Sequence, residues 1–159
     1  MTDPVAESRI FAESYRPLRR FAAVVGPDEC DPDDLLMEAV ARVLKHRRLD
    51  ELDQPMAYLR RTILNLASNE RRGFAVRRRA LRRLLPDGRD QTDDYPSDLE
   101  DLQHLSAAER AVLYLSEVEG YRFAEIGQML GCSEAAARKR AMKGRRRLYG
   151  ALVEEVARG

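Results

Sequence analysis

Apolar residues return every three or four positions along nearly the whole chain, and no stretch alternates for long enough to form a strand. This periodicity restricts the 159 residues to an all-α fold. An early helix is predicted over Val5 to Val25, with Ile10, Phe11, Leu18, Phe21 and Val25 available for a core. Pro17 threatens it with a kink or break, because proline removes a backbone donor. "GPDECDPDDLLMEAVARVLKH" then marks a clear start, with Asp31 as cap, Pro32 at the first helical position, and Asp33 and Asp34 in the positive first turn. Leu35, Leu36, Ala39, Val40, Val43 and Leu44 fall on the inner face of that helix. A polar loop from His46 to Pro55 leads to "MAYLRRTILNLASNERR", another helix with Leu59, Ile63 and Leu66 inward.

"LLPDGRDQTDDYPSD" changes the character of the chain: Pro86, Gly88 and Pro96 stand among acids, as in a flexible tether. The expected organisation is two small helical domains, over 1–84 and 99–159, joined by an acidic linker over 85–98. Its roughly 14 residues reach on the order of 45 Å when extended, more than one DNA turn of ~34 Å. Two capping boxes follow, Ser97 with Glu100 and Ser106 with Glu109, and each predicts a helix start. The second helix is expected to run to about Glu119 and stop at Gly120. "FAEIGQML" is a short helix ended by Gly131, and Ser133 caps a long final one. Two helices around a glycine-containing turn, the second strongly basic, make a helix-turn-helix pattern.

A formal net charge of +1 conceals strong segregation. From Arg60 to Arg83 nine arginines face only Glu70, and from Ser133 to Tyr149 seven bases face only Glu134. The acids gather from Asp28 to Glu38 and from Asp87 to Asp101. Like-charged blocks on separate segments predict separate partners for separate surfaces. No apolar run approaches the roughly 18 residues of a membrane span, and "MTDPVAESRI" lacks the zones of an export signal. A cytoplasmic protein without membrane insertion is expected. Cys30 and Cys132 have no Cys or His at ligand spacing, so no disulfide framework, metal site or cofactor is predicted. His46 and His104 are isolated, and no glycine loop suited to phosphate is present, which argues against an enzyme.

At 100° per residue, Ala137, Ala141, Gly144 and Leu148 of the final helix share one narrow stripe that faces the core. Opposite lie Ala135, Lys139, Met142, Lys143 and Arg146, flanked by Arg138 and Arg145 on one side and Arg140 and Arg147 on the other. Small residues inward and long cations outward are the anatomy of a recognition helix. Arg138, Lys139 and Lys143 lie near the amino end, where they reach base edges, and the acceptor pair of guanine is their natural target. Met142 either meets a thymine methyl or is an exposed methionine without a role. Arg145, Arg146 and Arg147, further along, suit phosphates.

"LSAAERAVLYLSEVEGYRFAEIGQMLGCSEAAARKRAMKGRRRL" closely resembles the promoter-binding region of small sigma factors, the extracytoplasmic-function type of the sigma-70 family. "DPDDLLMEAVARVLKH" resembles that family's polymerase-binding helix, and "PMAYLRRTILNLASNERR" its segment that opens the downstream promoter element. The resemblance implies a sigma factor that directs core RNA polymerase to promoter DNA, both duplex and melted strand. Asp34, Met37, Glu38 and Arg42 would then contact polymerase. Leu49 and Tyr58 would belong to the minus-10 pocket, Asn65 and Asn69 would read a flipped base, and Arg60, Arg61, Arg71 and Arg72 would hold the strand's backbone. Arg138, Lys139, Met142, Lys143, Arg146 and Arg147 would bind the minus-35 duplex. An anti-sigma factor is a further partner common in the family.

The chain departs from the family pattern in places. Tyr58 replaces a common tryptophan, Met37-Glu38 a Gln-Glu pair, and "SEAAA" the usual Gly-Thr-Val entry to the recognition helix. A second reading of the same residues is a stand-alone helix-turn-helix regulator that never melts DNA. It leaves the Asp31 to Glu38 helix and the Arg60 to Arg72 segment unexplained.

Overall fold

Asp3 opens the first helix, α1 (Pro4–Val25), by accepting a hydrogen bond from the Val5 amide at 3.0 Å, with Pro4 at the first position. The structure, a computed structural model, describes residues 3–84 and 104–159, and over 70–84 only the path of the helix. The expected linker over 85–98 and the capping box of Ser97 and Glu100 lie outside the described residues. Pro17 does not break α1. Ser14, Leu18, Phe21, Ala22 and Val25 are buried on both sides of it, and this packing holds the two halves in line.

Helix α2 (Pro32–Leu44) starts as its sequence predicts, the Asp31 carboxylate accepting from the Asp33 amide at 2.8 Å. Asp31→Ala should cost about 1 kcal/mol of stability, read as a lowered urea midpoint with an unchanged slope. Leu35, Leu36, Ala39, Val40 and Val43 are buried, but Leu44 is 47% exposed and not part of the inner face. It is the last helical residue, and Val40 and Val43 already fill the side facing the core. Asp33 ties α2 to α1 by accepting from the Tyr15 hydroxyl and from Arg19 Nε at 3.1 Å. The Tyr15 hydrogen bond, more than the Arg19 charge, holds the Asp33 carboxyl below its usual range. The contact therefore stabilises the fold above the ordinary carboxylate pKa of ~4 and loses its effect as pH falls through the depressed value.

A 3-10 turn, Leu49–Glu51, follows, pinned by Arg48 to Asp50 at 3.0 Å and to Glu7 at 3.6 Å. Helix α3 (Pro55–Leu84) carries Leu59, Ile63, Leu66 and Ala67 into the core against α1 and α2.

In the second half, Ser106 and Glu109 form a reciprocal capping box at 3.1 and 3.2 Å, and α4 (Ala107–Leu113) runs on through one π turn, Tyr114–Val118. Gly120, at φ +76°, ends that run. Helix α5 (Phe123–Leu130) stops at Gly131, whose φ of +75° is a left-handed cap that only glycine adopts without strain. Helix α6 (Glu134–Arg158) starts on Ser133, which accepts from the Ala136 amide at 3.0 Å. The described residues contain helices and turns and no strand.

The two halves are docked rather than held apart. Helices α1 and α3 touch α4, and α3 touches α5, so one buried apolar cluster continues from Leu18 to Ala141. The Phe21 and Tyr114 rings lie 6.4 Å apart across this seam. Arg110 Nη1 crosses it to donate to the carbonyls of Val24 and Gly26 at 3.2 and 3.3 Å. Burial of this shared apolar surface favours contact between the halves.

Candidate nucleic-acid interface

Helix α6 takes the rotational phase its periodicity predicts. Ala137, Ala141 and Gly144 are buried, and Leu148 is half-buried. Gly144 sits so close to α4 that a β-carbon there would lie 2.8 Å from Leu113 Cδ1. Gly127 brings α5 equally near to the start of α6, where a β-carbon would lie 2.6 Å from the Cys132 carbonyl oxygen. These close approaches fix the angle at which the basic side of α6 stands out.

On that outward side Ala135, Arg138, Lys139, Met142, Lys143 and Arg146 line an open groove of about 360 Å³. Met142, 51% exposed, forms an apolar floor between cations. Arg138 donates to Glu134 at 2.9 Å and lies 5.7 Å over the Phe123 ring, so its guanidinium is held in place. No intramolecular partner is described for Lys139, Lys143 or Arg146.

Arg147 is placed differently from the sequence expectation. It pairs with Glu109 at 3.1 Å, a carboxylate whose side chain is only 7% exposed and which also closes the capping box of α4. Arg147, itself 52% exposed, ties the surface of α6 to this carboxylate, and Arg145 is paired with Glu117. Neither carboxylate partner was visible in the local sequence, since each is nearly thirty or more positions away.

The candidate strand-binding residues divide in the same manner. Tyr58, Asn65 and Asn69 are exposed along α3. Leu49, expected in a pocket wall, is 1% exposed and packed into the core by the 3-10 turn, so it forms no open wall. Arg60 is 3% exposed and buried between the two halves, whereas Arg61 donates to the Gln128 carbonyl at 3.3 Å and remains exposed. The side chains of Arg71 and Arg72 lie outside the described ones. On α2, Asp34, Met37, Glu38 and Arg42 form one exposed row, with Arg42 donating to Glu38 at 3.3 Å. Leu44 adds an exposed apolar side chain near its end.

Residues 101–148 match the family described as Sigma-70, region 4. The RNA polymerase sigma factor CarQ of Myxococcus xanthus is 48% identical over 63 residues, 38% of this chain and 36% of that protein. The alignment thus spans only about a third of the curated relative's length. The sigma factor RpoE of Bartonella quintana, solved in complex with the anti-sigma factor NepR, superposes with a TM-score of 0.60 at 18% identity. That match covers 91% of this chain and 95% of the other and shows the shared fold. The sigma region 4 match ends at Leu148, so the last turns of α6, with Tyr149, Val153 and Val156 exposed, lie beyond it. Among the described residues, no helix is long and apolar enough to cross a membrane, and no group of His, Cys, Asp and Glu is placed to hold a metal.

Proposed function

We propose that this chain is a sigma factor of the extracytoplasmic-function type, a dissociable RNA polymerase subunit that recognises a promoter and helps to open it. The observation that carries this reading is the cationic groove of α6, set outward by small buried residues within the sigma region 4 match. Arg138, Lys139 and Lys143 stand near the amino end of the recognition helix, in reach of base edges, and Arg146, further along, neutralises phosphate. Asp34, Met37 and Glu38 provide a separate acidic and apolar surface for the basic face of core polymerase. Tyr58, Asn65 and Asn69 offer stacking and amide contacts to an unstacked base. The domain boundaries carried by this reading are 1–84, 85–98 and 99–159.

Nothing in this role requires a catalytic group or a cofactor, and its partners place it in the cytoplasm. The Bartonella quintana sigma factor is held by an anti-sigma factor. An inhibitor of the same kind would find its targets here on the α2 row and the α6 groove.

Purified core polymerase supplied with this chain and a promoter library should initiate at a defined subset of sequences. A stand-alone regulator would bind duplex and start nothing. Within the selected upstream element, Lys139→Ala should change the preference at one or two base pairs, a discrimination of ~1–3 kcal/mol. Arg146→Ala should instead weaken all sequences alike and reduce the salt slope by about one. Binding selections with each variant at several salt concentrations separate the two behaviours.

A further inference from the structure

Arg138, Lys139, Lys143 and Arg146 line the α6 groove, and among the described contacts only Arg138 has its head group restrained. Its Nη2 donates to Glu134 Oε1 at 2.9 Å, one helical turn back, and its Cζ stands 5.7 Å from the centre of the Phe123 ring. Neither partner lines the groove itself. Phe123, the first residue of α5, is half-buried and packed against the core, so its ring is a fixed surface. Glu134, the first residue of α6, keeps its carboxylate beside the positive end of that helix. The two contacts therefore reach Arg138 from different helices.

A guanidinium carries five N–H donors in a planar fork. The hydrogen bond to Glu134 uses one of them and the ring contact uses none, so enough remain for the paired acceptors N7 and O6 of guanine. A free arginine gives up rotamer freedom when it binds, and it turns as readily to the nearest phosphate as to a base. A tethered one has already lost that freedom. Glu134 has a second effect, because its negative charge repels backbone phosphates and weakens binding to every sequence alike. General affinity is thereby exchanged for discrimination. On the duplex-binding role proposed for α6, we infer that Phe123 and Glu134 are positioning residues that hold Arg138 for a guanine. Together the three side chains set one G·C pair of the duplex element, and Lys139, with no described tether, serves as the internal comparison.

The test uses the full chain, a duplex selected from a randomised pool, and the single-base-pair variants of that duplex. Arg138→Ala identifies the pair: preference for guanine there should disappear, while the pair read by Lys139 keeps its preference. Glu134→Ala and Phe123→Leu should each reduce the guanine preference about tenfold, within the range of a bidentate contact, and leave other positions unchanged. Phe123→Tyr keeps the ring and should keep the preference. Glu134→Ala should also tighten binding to unselected duplex about threefold, a gain that shrinks between about 50 and 200 mM salt as screening grows. A merely structural role for Phe123 and Glu134 weakens all sequences in proportion and leaves the preference in place, and that result overturns the assignment. So does a base other than guanine at the Arg138 pair, or a duplex in which no pair responds to Arg138→Ala. Initiation with core polymerase reports separately on the sigma reading: a chain that initiates, with its guanine preference unmoved in both variants, retains that reading and loses the tether. A chain that never initiates, yet loses guanine discrimination in both variants, keeps the tether and loses the polymerase role.

Discussion

Replacing Asp34 and Glu38 together by lysine should abolish association with core polymerase while the chain still binds duplex DNA. Both side chains are exposed on α2, one helical turn apart, and neither contributes to the apolar core. Within the fold the double substitution breaks the exposed Glu38–Arg42 ion pair at 3.3 Å, a type worth at most about 1 kcal/mol. Reversing two charges against a basic partner costs far more. A loss of ~3 kcal/mol or greater corresponds to over a hundredfold in Kd. Titration of labelled chain into core polymerase at low ionic strength measures it, and the α6 groove, on a different element, provides the internal control. Equal loss of polymerase and duplex binding would refute the separation of the two surfaces.

The second large effect concerns Gly127. A β-carbon at this position meets the Cys132 carbonyl oxygen at 2.6 Å, Ser133 C at 3.2 Å and Glu134 N at 3.3 Å, all of them backbone atoms that cannot swing aside. Gly127→Val must force α5 away from the turn that launches α6, at a cost of roughly 3 kcal/mol. In a chain of this size that lowers Tm on the order of 10 °C. Gly150 provides the contrast, because nothing lies within 4 Å of a β-carbon built there. Gly150→Ala should raise stability by up to about 1 kcal/mol through helix propensity alone. Thermal melts of the two variants read both signs, and a neutral Gly127→Val would mean that the helix crossing is loose enough to absorb a side chain.

These two cases show what kind of information sequence carries. The starts of α2, α4 and α6 were legible because Asp31, Ser106 and Ser133 act within four residues of their own amides. The phase of α6 was legible because Ala137, Ala141 and Gly144 repeat at helical spacing, and the cationic face follows from that phase. By contrast, the fate of Arg60 depends on Glu119, Tyr121 and Met129, which reach it only when α5 docks on α3. Arg147 looked like a phosphate contact because its local surroundings are basic, yet its partner Glu109 lies on another helix. Pro17 misled in the opposite direction: its local penalty is real, but buried side chains on both sides of it outweigh it. Local rules identified elements and faces; the uses of individual arginines were set by tertiary packing.

On a promoter recovered from the library, permanganate reactivity of thymines reports the unpaired strand directly. With core polymerase and this chain together, thymines around the minus-10 element should become reactive, and neither component alone should expose them. Reactivity should vanish with Asp34→Lys/Glu38→Lys. Duplex that stays unreactive in the presence of both components, despite tight binding by the α6 groove, would leave a DNA-binding protein and remove the promoter-opening subunit.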